Sequence, residues 1–147
     1  MSFSSNKAEY QRIRYHHHEG VRERHIEAVR RWQRKNPIKY WASKTIQSHK
    51  RKGFKVLLTT TELHTLAKSI THCSFCGIEL DYNPKGRSGW HRNSPSMDRI
   101  DNKKVIAMDD IQIICAQCNS AKSTMSIEEF IEYCQTIVEK HRSNRNV

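Results

Sequence analysis

Two Cys-x2-Cys pairs, Cys73-Ser-Phe-Cys76 and Cys115-Ala-Gln-Cys118, stand 38 residues apart and constrain this chain more than any other feature. Each such turn points two thiolates at one centre, and two turns complete the closed tetrahedral site that zinc takes. A closed site leaves no position for water, so the expected Zn²⁺ is structural, and its binding energy is folding energy. The chain needs that contribution. Only 36% of its 147 residues are hydrophobic and its mean hydropathy is −0.82. That is a thin apolar supply for a small domain with an appended segment. No apolar run approaches a membrane span, and Met1–Lys7 lacks the apolar stretch of a secretory signal. The expected compartment is therefore cytoplasmic or nuclear, not secreted. Thiols stay reduced there, which ranks metal ligation ahead of disulfides. The fifth cysteine, Cys134, falls on the apolar side of an expected helix and reads as a small core residue.

The formal net charge is +11, and it is unevenly spread: residues 1–70 hold 16 Lys+Arg against 5 Asp+Glu, whereas residues 71–147 hold 10 of each. A concentrated positive field attracts polyanions, which makes nucleic acid the expected partner. No basic stretch is flanked by a large apolar face, so a membrane surface is the weaker alternative. A merely solvating surface is the bland one.

Residues 1–18 read as a polar tail, with His16-His17-His18 as its only hint of a metal tract. Val21 to Lys35 reads as a helix that Asn36-Pro37 ends, and a second helix is expected from Ile38 to Lys52, closed by Gly53. Trp32 and Trp41 are expected to form a small core between the two, with base stacking the lesser possibility. Thr59 and Glu62 make a capping box ahead of a short helix that delivers the chain to His72-Cys73. Residues 81–95 read as a loop. Ser96–Ile100 and Ile111–Ile114 are the expected strands, and a helix is expected from Cys118 to Lys122. Ser126 and Glu129 form a second capping box before a helix whose apolar face is Phe130, Cys134, Ile137 and Val138. The expected fold class is α+β, divided into a basic helical arm over 1–58 and a zinc-stapled domain over 59–147.

Between and after the knuckles lie Ser94-Pro-Ser-Met-Asp98-Arg99-Ile100-Asp101, Asp109-Asp110-Ile-Gln-Ile-Ile-Cys115 and Cys118-Asn119-Ser-Ala-Lys122. With the following Glu128-Glu129-Phe130-Ile131, these segments resemble the HNH endonuclease superfamily over roughly residues 59–138. The likeness is to the small phage-type members whose ββα-metal core is bracketed by two Cys-x2-Cys knuckles. The resemblance implies a nuclease that hydrolyses phosphodiester bonds in DNA with a catalytic divalent cation, Mg²⁺ or Mn²⁺. It also implies a bacterial or phage-infected cell. Asp98 matches the carboxylate that binds the cation, and Asn119 the second metal-facing position. One carboxylate and one amide oxygen suit a hard cation that fills its shell with water and phosphate oxygens. Arg30, Arg31, Arg34, Lys44, Lys50, Arg51 and Lys122 are the expected nucleic-acid contacts.

Two departures from that pattern stand out. Arg99 occupies the position of the usual general-base histidine, and an arginine cannot take a proton at neutral pH. It suits a contact to the scissile phosphate instead. The base is then open: His91, His72 and unassisted water are the alternatives. Asp110 stands where the middle asparagine is expected. Plainer readings remain beside these. Asp98 and Asp101 also suit turn and salt-bridge roles near Lys103 and Lys104, Asn119 suits a helix N-cap, and Lys122 suits a solvated side chain. The alternative function is a catalytically weak or inactive zinc-stapled module that binds nucleic acid without cutting it.

Overall fold

Asn36-Pro37 interrupts the helical N-terminal half, because proline lacks the amide that would continue the ladder yet fits a first helical turn. In the computed structural model α1 runs Ser5–Lys35 and α2 runs Pro37–Arg51. The structure describes residues 5–83, 91–101 and 103–143, so part of the expected 81–95 loop lies outside the described residues. The side chains of His16, His17 and His18 lie outside them too. The expected polar tail is a correction: from Ser5 onward that segment is helix, continuous with the stretch expected only from Val21.

Contacts divide the chain into residues 1–37 and 38–147, so α2, counted with the arm on sequence, groups with the cysteine-bearing part. The first unit is a single helix whose described side chains are largely exposed, with Trp32 44% exposed and Arg34 and Lys35 in its last turn. Trp41, expected from sequence to pack with Trp32, makes its hydrogen bond and ring contact within the second unit. Its indole Nε1 donates to the Pro95 carbonyl at 2.9 Å and its ring meets Tyr82 edge-on at 5.4 Å.

In the second unit, α2 buries Ala42 and Ile46 and ends at Gly53, whose φ of +84° favours a residue without Cβ. β1 (Lys55–Val56) follows, then α3 (Thr60–Ser69). Thr59 and Glu62 close the capping box as expected: the Thr59 hydroxyl accepts from the Glu62 amide at 3.2 Å, and the Glu62 carboxylate accepts from the Thr59 amide at 2.7 Å. β2 is Pro95–Arg99, β3 Val105–Ile106 and β4 Ile111–Cys115. β2 and β4 pair antiparallel, with Pro95 opposite Cys115 and Asp98 opposite Gln112. β1 pairs parallel with β3. α4 (Ala116–Lys122) begins where β4 ends, and α5 (Ile127–Ser143) follows behind the Ser126–Glu129 capping box.

The core gathers Ala42 and Ile46 of α2, Leu58, Leu63 and Ala67 of α3, and Met97, Ile106, Ile111, Ile113 and Ile114 of the strands. Helix α5 contributes little to it. Phe130 is buried against Phe75, but Ile137, Val138 and Cys134 are exposed, so the apolar face is largely uncovered and the core reading of Cys134 is corrected. Thr59→Ala removes the Thr59 side of the capping box and is expected to cost about 1 kcal/mol. Urea unfolding monitored by circular dichroism checks this, and an unchanged midpoint refutes it.

Candidate metal centre and adjoining hollow

The first knuckle is a tight turn. The Gly77 amide donates back to the Cys73 carbonyl at 2.9 Å, the Cys73 amide donates to the Ile78 carbonyl at 2.9 Å, and Gly77 takes a φ of +70°. The second knuckle is the β4–α4 junction itself. Cys115 is both the last strand residue and the N-cap of α4, its sulfur accepting from the Cys118 amide at 3.3 Å. The two turns bring the four cysteine sulfurs within 4.8 Å of one another. Cys76 Sγ and Cys115 Sγ lie 3.7 Å apart. A tetrahedron with metal–sulfur bonds of about 2.3 Å has edges of about 3.8 Å, so the cluster can hold a metal ion. The thiols are tuned unequally. Burial pushes Cys73 up, but hydrogen bonds from the amides of Cys115, Cys76 and Phe75 and from the Cys76 thiol outweigh it and bring it down to about 7. Burial, and then its sulfur neighbours, hold Cys118 well above its ordinary value. One thiolate forms easily and the next is resisted, which is the charge problem a divalent cation relieves.

Beside this cluster lies a hollow of about 400 Å³ lined by His49, Lys52, Phe54, Met97, Asp98, Arg99, Asn119, Ser123 and Thr124. Asp98 and Arg99 come from β2 and Asn119 from α4, so three of the residues singled out by sequence meet in one place. Asn119 is not the N-cap; it sits inside α4 and its Nδ2 donates to Ser96 Oγ at 2.6 Å. That bond orients the carboxamide and leaves its oxygen as the remaining acceptor. The Arg99 guanidinium stacks 4.4 Å above the Phe54 ring while Nη1 donates to the Lys103 carbonyl at 3.0 Å.

Asp98 is 4% exposed and both of its oxygens are engaged. Gln112, its cross-strand neighbour, donates to Oδ2 at 2.8 Å, and Lys122 Nζ reaches Oδ1 at 3.2 Å. Lys122 is 1% exposed, so it is neither a solvated side chain nor available to a phosphate. Three residues on from Asn119, it shares that face of α4 and is aimed at β2. Asp101, by contrast, makes the expected surface pair with Lys103 at 2.7 Å. Asp110 accepts from the Ala107 amide at 3.0 Å and closes the short 3-10 turn Met108–Asp110.

The two histidines raised from sequence are elsewhere. His72 hydrogen-bonds Thr71 beside the first knuckle, and His91 precedes β2 with its Nε2 buried and unpartnered. Neither lines the hollow. His49 does, and sequence spacing carried no signal for it. It lies in the last turn of α2, its Nδ1 2.9 Å from the Thr45 carbonyl and its ring centroid 5.7 Å from that of Phe54. Burial lowers its pKa below 6.5; the Thr45 hydrogen bond opposes that, and Lys52 and Arg99 add to the lowering. Arg30, Arg31 and Arg34 are exposed on α1, and Lys44, Lys50 and Arg51 on α2. Arg31 lies 3.8 Å from Glu27, an exposed pair worth little.

No protein family matches the chain, and no solved structure does. An uncharacterized protein of Acanthamoeba polyphaga mimivirus is 30% identical to it over 86 residues, which is 58% of this chain and 14% of that protein. The chain thus spans a small fraction of the viral relative.

Lys122→Ala leaves the Asp98 carboxylate buried beside Gln112 alone, and is expected to destabilise the fold by about 3–5 kcal/mol. Replacing both partners by apolar residues of similar size, Asp98→Leu with Lys122→Met, is expected to cost less than Lys122→Ala alone. Equilibrium denaturation of the three proteins checks the pair. A Lys122→Ala loss under about 1 kcal/mol refutes a buried pair.

Proposed function

We propose that this chain is a divalent-metal-dependent endonuclease of the small phage HNH type, hydrolysing phosphodiester bonds in DNA, with a structural zinc on Cys73, Cys76, Cys115 and Cys118. The observation that carries the proposal is the meeting of Asp98, Arg99 and Asn119 at one hollow beside the junction that the cysteines bracket. The strand–strand–helix order of β2, β4 and α4 supports a ββα reading, because the helix leaves β4 without a linker and projects Asn119 towards β2.

A Mg²⁺ or Mn²⁺ ion takes one or two protein oxygens and completes its shell with water and phosphate. The Asn119 carboxamide lines the hollow with its oxygen unused, whereas Asp98 would bind a cation only once Lys122 gives up Oδ1. Asp98 and Asn119 would hold it, and when bound it supplies charge stabilisation at phosphorus and at the leaving oxygen. Arg99, stacked on Phe54, would orient a non-bridging phosphate oxygen through its fork of donors. The exposed arginines and lysines of α1 and α2 would contact backbone phosphates, which positions DNA without reading sequence.

A second reading, a module that binds nucleic acid without cutting it, is favoured by one observation. The Lys122 ammonium already sits on Asp98 Oδ1 and neutralises the carboxylate that the cation would need.

Nicking of supercoiled plasmid by zinc-loaded protein separates the two readings. The nuclease reading expects nicking with added Mg²⁺ or Mn²⁺, none with EDTA, and at least a 100-fold loss in Asp98→Asn. That variant keeps an acceptor for Lys122 but removes its countercharge, so its folding is checked by circular dichroism beside the nicking. Tight binding with no nicking under any cation sinks the nuclease reading. The zinc assignment expects one zinc per chain by mass spectrometry, and loss of the folded circular dichroism signal when a strong chelator strips it. DNA affinity is expected to fall steeply with salt, and the triple variant Arg30→Ala, Arg31→Ala, Arg34→Ala to flatten that slope. An unchanged slope removes α1 from the interface.

A further inference from the structure

A group that takes a proton from the attacking water speeds hydrolysis, and the residue standing where such a histidine is usual is Arg99, which cannot. The geometry points to His49 as that general base, supplied from α2 rather than from the strand that carries Asp98; this assignment rests on the nuclease reading above.

Three features support it. His49 lines the same hollow as Asp98, Arg99 and Asn119, whereas His91 and His72 do not. Its Nδ1 lies 2.9 Å from the Thr45 carbonyl. A carbonyl only accepts, so Nδ1 carries the proton, and in the neutral ring Nε2 is left with the lone pair. No described residue hydrogen-bonds that nitrogen, and the ring that carries it lines the hollow. The ring is also held: Phe54 packs on it and is itself pinned under the Arg99 guanidinium. One aromatic ring thus sets the spacing between the base and the phosphate-binding arginine. The charged groups around it are Lys52 after α2, Arg99 on β2, and the Asp98 carboxylate on β2 paired to Lys122 of α4.

In the step, a water in the hollow gives one proton to His49 Nε2 as its oxygen bonds to phosphorus. The phosphorus–O3′ bond breaks, and the leaving oxygen takes a proton from solvent. The products are a 5′-phosphate and a 3′-hydroxyl, and the imidazolium returns its proton to bulk water.

The test is single-turnover plasmid nicking in Mg²⁺ by wild type, His49→Ala and His49→Asn, each with and without added imidazole. The asparagine amide can keep the bond to the Thr45 carbonyl, which holds the helix end if the alanine variant does not fold. Expected is a loss of about 100-fold or more with DNA affinity unchanged, partly restored by imidazole in His49→Ala. Independently of activity, long-range ¹H–¹⁵N spectra of wild type are expected to show His49 protonated on Nδ1 alone at neutral pH. Wild type that nicks alongside a His49→Ala and a His49→Asn that nick within threefold of it overturns the base and leaves the nuclease standing. So does a loss that imidazole leaves unrepaired, or a ring protonated on Nε2. Wild type that does not nick removes the nuclease reading, and His49's role with it.

Discussion

The convergence of four sulfurs within 4.8 Å is the constraint on which the rest of the cysteine-bearing unit depends. It joins a turn before β2 to the junction after β4, two places separated by 38 residues of chain. The intervening segment carries the short strands β2 and β3 and most of β4. Closing so long a loop costs conformational entropy that a five-residue strand pair offsets only partly. A metal ion bound there would supply the difference, and would do so at the first turn of α4. Because Cys115 caps that helix and Cys118 lies within it, anything that holds the sulfurs also holds the direction of α4. Asn119 and Lys122 inherit their aim at β2 from that direction.

The charge arrangement around Asp98 follows from the same placement. A carboxylate buried opposite Gln112 in the middle of an antiparallel pair needs partners, since an isolated buried charge is far too costly to keep. Gln112 provides one, and the stem of Lys122 crosses the face of α4 to provide the other. The pair adds little net stability, because desolvating both charges offsets their attraction, yet it is expensive to break from one side. This shapes how substitutions at Asp98 are to be understood. Any uncharged replacement leaves a buried ammonium without its counter-ion, so lost activity at Asp98 is informative only in a variant shown to be folded.

Features governed by short-range chemistry were legible in the sequence. Both capping boxes, Thr59 with Glu62 and Ser126 with Glu129, form as their spacing implies, because each is decided within four residues. The knuckles meet as their spacing implies, and the paired strands flank them within a residue of expectation. What sequence concealed is long-range or goes against the usual behaviour of a residue type. The parallel pairing of β1 with β3 involves two residues on each side and has no periodicity to detect. A lysine in that position reads as exposed because lysine nearly always is, and only the position of Asp98 across the α4–β2 interface explains the burial of Lys122. Trp41 and Tyr82 find each other across a gap in sequence that no helical pattern links. The exposed face of α5 shows the converse failure: an amphipathic stripe says that a face is apolar, not that something covers it.

His49 is the sharpest instance, and it bears on how such a site is assembled. In a site built from one strand and one helix, the base and the cation ligand would share a rigid element. Here the histidine and the carboxylate come from α2 and β2, elements separated by more than forty residues. What fixes their distance is the β1–β3 pairing just after α2, together with Phe54, which bridges the imidazole and the Arg99 guanidinium. The Lys55 amide donates to the Lys104 carbonyl and the Leu57 amide to the Ile106 carbonyl, so this two-residue strand pair anchors the chain immediately after Phe54. A base supplied this way is not tied to the strand position next to Asp98. Under the proposed assignment of His49, Arg99 would be free to serve as a phosphate contact.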